Sequence, residues 1–397
     1  MKKSNRREFL RKAALSGSTA TAGFAMSGHP EFKLHAQESS PANNIVYRDL
    51  GSTGFKVSEI GMGCMNMRDP ELVRAAIDNG INYIDTAYVY MNGENERTVG
   101  QIMKTERDKV FLTTKVGLRG SLKEVPNQIE TSLERLQTDH VDLLLLHHGG
   151  DTPEMVIDEN RMKVLDDAKR KGQTRFVGFS THTSNSQVYE NAIKTKFYDA
   201  VLLCYNCESP PSLTKDIEQM RKAGIAVIAM KNLLRFETRP RKPLDDIRED
   251  KNGPVTYNQA LIKWVLSNRY VDVTIPGITA FEHLAENMAI MGTKMGYNDY
   301  QKLYQLGAKI KGSHCMGLSG CTGCDRQCPN GVRVSEINRC LGYVHGYGDM
   351  RLARENYSQL PHSTRVDVCG DCEECTVKCV NGLNLTENIR QAKALFA

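Results

Sequence analysis

Eight short apolar runs, spaced through the middle of the chain by stretches of helical period, constrain the fold most. They are EIGMGCM (59–65), NYIDTA (82–87), VFLTTKV (110–116), VDLLLLH (141–147), RFVGFS (175–180), DAVLLCYN (199–206), IAVIAMK (225–231) and VDVTIPG (271–277). Several are almost continuously apolar, the signature of strands buried on both faces. The segments between them alternate in the helical sense. PELVRAAIDNG (70–80) and PNQIETSLERL (126–136) are two such segments, and the first has Pro70 near its start and Gly80 just past its end. Eight strands with intervening helices over residues 45–292 predict an α/β fold, a (β/α)8 TIM barrel. A doubly wound open sheet is the alternative. It is disfavoured because no Gly-x-Gly-x-x-Gly turn follows an early strand. Residues 238–256 are charged, bear prolines and lack periodicity, so they predict a long loop at the catalytic end.

Chemistry in such a barrel is sought first at the C-terminal ends of strands. Asp85 closes the second run, with Tyr90 in the loop after it. Lys115 closes the third and His147 the fourth. A carboxylate, an ammonium, an imidazole and a phenol at one mouth make a proton donor. The phenol is too weak an acid at its usual pKa of about 10. A neighbouring ammonium favours its ionised form, and a carboxylate paired with that ammonium keeps it charged in a dry site. The imidazole can orient a carbonyl that is protonated as hydride reaches carbon.

The stretches YRDLGSTGFKVSEIGMG (47–63), IDTAYVYMNGENERTVG (84–100), FLTTKVG, VDLLLLHHGG, RFVGFS and TIPGITAFEHLAEN (274–287) resemble the aldo/keto reductase family. The resemblance spans the whole barrel. It implies reduction of aldehydes or ketones with NADP or NAD, with Tyr90 as general acid tuned by Asp85 and Lys115. His147 matches the family histidine better than His148. The resemblance also implies a cofactor set of Ser180, Met230, Gly277, His283, Glu286 and Asn287. Departures lie among these positions. Thr181 stands for an asparagine, Leu202 for a glutamine, Met230 for the tyrosine that stacks on nicotinamide, and His283 for the arginine that grips the 2′-phosphate. Histidine lacks the guanidinium fork, which weakens any preference for the phosphorylated nucleotide.

Nine of the 12 cysteines fall after residue 310. CDRQCPNGVRVSEINR (324–339) aligns without gaps on CTVKCVNGLNLTENIR (375–390) at an offset of 51, an internal duplication. The second copy is a full run, Cys369, Cys372, Cys375 and Cys379. In the first, Leu318 occupies the place of the leading cysteine. Bacterial ferredoxins carry this run twice, the fourth cysteine of each ligating the other cluster. Residues 293–397 are therefore expected to form a small, mostly helical ferredoxin-like domain with two iron–sulfur clusters of 4Fe-4S type. One cluster takes Cys369, Cys372, Cys375 and Cys328. The other takes Cys321, Cys324 and Cys379, with Cys315 in place of Leu318. Without that replacement the second cluster would be incomplete. Zinc ribbons also use Cys-x2-Cys and are the competing reading. Cys64, Cys204 and Cys207 read as small buried hydrophobes in strand-like runs.

The N-terminus resembles a twin-arginine export signal over residues 1–36: Arg6 and Arg7, then Phe9-Leu10-Arg11, then a weakly apolar Ala/Gly/Ser/Thr stretch. It holds seven basic and two acidic residues, the whole of the chain's net +5. The remainder sums to zero, which argues against a nucleic-acid footprint. No apolar run reaches 18 residues, so no membrane span is expected. The expectation is an exported oxidoreductase, extracytoplasmic or periplasmic. It would act on a small carbonyl or alcohol, and its clusters would relay electrons to a redox partner protein. The alternatives are an electron-transfer protein whose barrel is a scaffold, and a barrel enzyme with structural clusters.

Overall fold

The computed structural model describes residues 45–117, 121–233, 255–310, 315–319, 321, 323–345, 348–358, 360–369 and 375–397. Residues 1–36, where an export signal is expected, most of the charged 238–256 loop and Cys372 lie outside them.

A two-stranded antiparallel hairpin, β1 (Tyr47–Asp49) and β2 (Lys56–Ser58), leads into a parallel sheet. Its strands are β3 (Met62–Gly63), β4 (Tyr83–Asp85), β5 (Phe111–Val116), β6 (Val141–Leu146), β7 (Thr174–Thr181), β8 (Ala200–Cys204), β9 (Ala226–Met230) and β10 (Val273–Thr274). Each pairs with its sequence neighbour, and β3 and β10 are the ends of that order. The ends meet. Gly61 N–H donates to Thr274 O (2.8 Å), Thr274 N–H to Glu59 O (3.0 Å) and Gly63 N–H to Pro276 O (3.0 Å). The sheet is thus a closed barrel, the α/β architecture that the eight runs predict. A Cβ on Gly63 would lie 2.8 Å from Ile275 O, so the seam closes only on glycine.

Strand alternation sorts the apolar residues into two layers. Tyr83, Phe111, Leu143, Leu145, Ala200, Leu202, Ala226 and Ile228 fill the barrel interior, joined by Leu50 and Val57 of the hairpin. Ile84, Leu112, Leu144, Leu146, Val201 and Val227 face the surrounding helices. The first of those helices, Pro70–Asp78, has the caps read from sequence. Asp69 accepts from Glu71 N–H, and the helix ends before Gly80 at φ +89°.

Helix Tyr297–Ile310, assigned by the sequence to the cysteine-rich segment, packs instead on barrel helix Tyr257–Ser267. Lys263 Nζ bonds both oxygens of Asp299 (3.0 and 2.8 Å), and both side chains are buried. The cysteine-rich unit that follows has helices Val334–His345, Met350–Tyr357 and Leu385–Phe396, and no strand among its described residues. Its core holds Val332, Ile337, Leu341, Tyr357, Val366, Leu385 and Ile389. The duplicated copies clasp one another at equivalent positions. Gln327 Nε2 donates to Lys378 O (3.0 Å), and Lys378 N–H donates to Gln327 Oε1 (2.9 Å).

Candidate active site

The period of two that fills the barrel also aims the polar residues. Asp85 follows inward Tyr83 by two, Lys115 follows Phe111 by four, His147 follows Leu145 by two, and Met230 follows Ile228 by two. Lys115 Nζ donates to Asp85 Oδ1 (2.6 Å), to Thr86 O (2.7 Å) and to Tyr90 Oη (3.4 Å). Lys115 is 1% and Asp85 2% exposed, so this is a buried pair. Burial pushes Asp85 up and Lys115 down, and their mutual attraction opposes both shifts. The His147 ring meets the Tyr90 ring edge-on at 5.9 Å.

One expectation is corrected. Lys115 stands beside the phenol, yet burial dominates and pushes Tyr90 well up, reinforced by the Asp85 charge and opposed by Lys231. At rest Tyr90 is therefore a fully protonated donor. His147 is held well below its usual value by burial, then by His148 and Lys115, so its ring is neutral.

Two cavities meet at Tyr90. The larger is lined by Gly63, Met65, Asp85, Leu202, Met230 and Gly277, among others. A Cβ on Gly277 would meet nothing within 4 Å, so this wall is open to a ligand. The smaller is lined by Lys115, His147, Ser180, His182, Lys231, Arg339, Tyr343 and Asn356, with Tyr90 shared. Ser180 Oγ accepts the His148 N–H (3.0 Å). The remaining nucleotide candidates lie away from both linings. His283 is half-exposed and contacts Thr279 (3.3 Å). Glu286 takes bonds from Thr256 and Asn258. Asn287 is buried.

Sequence reasoning missed His182, Lys231, Arg339 and Tyr343. The last two come from the cysteine-rich unit, which roofs the barrel mouth. Lys231 Nζ donates to Tyr343 Oη (3.4 Å), and Asn92 Nδ2 donates to Glu355 Oε1 (3.0 Å) across the two units. Lys231 adopts φ +57° without being glycine. In the sequence the available signal was a lysine closing the seventh apolar run, IAVIAMK (225–231).

In the second unit, Cys315, Cys321, Cys324 and Cys379 line one cavity with Asn338, Val380 and Leu385. Burial, then Asp325, then Cys321 and Cys379 push the Cys324 thiol up to about 12. Cys328, Cys369 and Cys375 share the core of the same unit, and Cys340 is buried within its helix. Among the described residues, no three His, Cys, Asp or Glu side chains stand close enough for a single metal ion. Cys64 and Cys204 are buried in the barrel, as read from sequence, while Cys207 is only partly so.

A closed (β/α)8 barrel with a Lys–Asp pair, a phenol and a neutral imidazole at its C-terminal mouth defines a class of oxidoreductase. Residues 59–307 match the aldo/keto reductase family profile, and the chain belongs to that family. It is 28% identical over 282 residues to the uncharacterized oxidoreductase YqkF of Bacillus subtilis, spanning 61% of this chain and 89% of that protein. An aldo-keto reductase of Bacillus halodurans in its holo form superposes with a TM-score of 0.56 at 25% identity, over 66% of this chain and 96% of the other. One from Klebsiella pneumoniae in complex with NADPH superposes with a TM-score of 0.54 at 26% identity, over 66% and 95%.

Proposed function

We propose that the barrel exchanges hydride between a nicotinamide nucleotide and a small carbonyl or alcohol. The observation that carries this reading is the Asp85–Lys115–Tyr90 contact at the junction of two cavities. The larger cavity suits the nucleotide, because Met230 lines it and the bare backbone of Gly277 leaves open space beside it. A bound nicotinamide supplies the hydride. Tyr90 Oη gives its proton to the carbonyl oxygen, and the Lys115 ammonium stabilises the phenolate that results. Asp85 offsets the cost of keeping that ammonium buried. Neutral His147 orients the carbonyl by hydrogen bond. A purified protein that binds neither NADPH nor NADH in fluorescence titration would refute the reading.

The cysteine-rich unit is proposed to hold two iron–sulfur clusters. Its second site is supported by the cavity that brings Cys315 together with Cys321, Cys324 and Cys379. The other site would use Cys328, Cys369, Cys372 and Cys375. When bound, the clusters supply one-electron exchange with a partner protein. Iron and sulfide analysis after anaerobic purification tests this. We also propose export by the twin-arginine machinery, on the Arg6-Arg7 motif; export of a fusion that survives Arg6→Lys with Arg7→Lys would refute it.

A further inference from the structure

We infer that His182 is a specificity-determining residue that reads a second, uncharged oxygen on the carbon next to the substrate carbonyl. This rests on the carbonyl-reductase reading above. His182 lines the same cavity as Tyr90 and His147. In both histidines Nδ1 is sealed from solvent without a hydrogen-bond partner among the described residues. That leaves Nε2 of each ring as the nitrogen that meets the cavity. A sealed N–H with no acceptor costs more than a sealed lone pair, so the proton belongs on Nε2 and both rings present a donor. Burial and the neighbouring His148, Arg339 and Lys231 hold His182 neutral. Two imidazole donors and the Tyr90 hydroxyl in one cavity call for two acceptor oxygens. The carbonyl occupies Tyr90 and His147, and the neighbouring oxygen falls to His182.

The cavity wall argues for an uncharged oxygen rather than a carboxylate. The Arg339 fork is already engaged: Nε and one terminal nitrogen donate to Glu336 (2.9 and 2.5 Å). The other terminal nitrogen donates to Tyr343 Oη (2.8 Å) and Asn356 Oδ1 (3.1 Å). No bidentate face remains for an anion. Of the two ammonium groups on the same wall, Lys115 is engaged by Asp85 and Thr86 and Lys231 contacts Tyr343 Oη, and the Glu355 carboxylate lines the cavity too.

The test is a matched series of propanal, 2-hydroxypropanal, 2-oxopropanal and the charged 2-oxopropanoate, assayed with full-length protein. The expected kcat/KM for the hydroxy or oxo aldehyde exceeds that for propanal by roughly 10–100-fold, the range for a site built to bond a substrate oxygen. Preference for the hydroxyl or for the oxo compound identifies the second oxygen, and either supports the inference. His182→Leu brings the ratio to within about threefold of unity, and His182→Gln, which keeps an N–H donor, restores part of it. An unchanged ratio in His182→Leu overturns the inference, as does a general loss that spares the ratio or a preference for 2-oxopropanoate. If His182→Leu does not fold, the wild-type ratio and His182→Gln decide. Turnover of propanal without preference defeats this inference alone, whereas no turnover of any aldehyde defeats the reading beneath it.

Discussion

Lys115→Met is the perturbation whose cost the structure fixes most directly. Lys115 gives three bonds, to Asp85 Oδ1, Thr86 O and Tyr90 Oη. The other Asp85 oxygen has no partner among the described residues, so the substitution strips the carboxylate of its described hydrogen bonds while leaving it buried. Removing one member of a buried pair costs about 3–5 kcal/mol, equivalent to roughly 6–20 °C in the Tm of a domain this size. The cost depends on pH. The folded pKa of Asp85 is already raised by burial, and loss of the ammonium raises it further. Between the unfolded value and that raised value, the folded state binds the extra proton. Stability of the variant therefore falls as pH rises through that window and returns on acidification. Asp85→Asn with Lys115→Met recovers most of the loss, because no charge is left buried. Thermal unfolding followed by circular dichroism from pH 5 to 8 reads all of this. A loss below about 1 kcal/mol, a loss independent of pH, or a double variant no better than the single would refute the reasoning.

Tyr90→Phe is expected to lower kcat for carbonyl reduction by about 10²–10⁴-fold, with nucleotide affinity retained in titration. With His147 held neutral by burial, the kcat profile is expected to lack an acid limb between pH 6 and 8, and a limb near 6.5 in steady-state rates would contradict that assignment. Two buried neutral imidazoles, His147 and His182, bind fewer protons folded than unfolded, so stability falls as pH drops below about 6.5, and removing both rings flattens that slope in denaturant melts. Cys315→Ser is expected to leave the second cluster incomplete, with fewer than about eight iron atoms per chain after anaerobic purification, and full retention of iron would exclude Cys315 as a ligand.

The barrel was legible because burial on both faces writes continuous apolar runs into the sequence, and strand ends give the register of Asp85, Lys115 and His147. Seam closure on Gly63 was not legible, since the space a Cβ would need is set by a strand more than 200 residues later. The structure brings Asp85, Tyr90, Lys115 and His147 together at the mouth as the strand ends imply, but the acidity of Tyr90 was not legible. Proximity to an ammonium can be guessed from spacing, whereas the desolvation that outweighs it depends on everything packed around the ring. Arg339 and Tyr343 escaped for a related reason. They become site residues only because the cysteine-rich unit roofs the mouth, and no local pattern states where a second unit docks. His182 directly follows strand β7 and lay within reach of a search of strand ends. The duplication aligns Leu318 with Cys369, and the choice of Cys315 as its substitute rested on the resemblance to ferredoxins; the structure places Cys315 in one cavity with Cys321, Cys324 and Cys379.

The central claim is hydride delivery to carbon with proton delivery by Tyr90. Nicotinamide nucleotide carrying deuterium at C4 tests it most directly, with a small aldehyde as acceptor and mass spectrometry of the alcohol formed. The account predicts one deuterium at the carbinol carbon with wild-type protein, and product formation that collapses in Tyr90→Phe. Alcohol without deuterium, or the same yield from Tyr90→Phe, would contradict it.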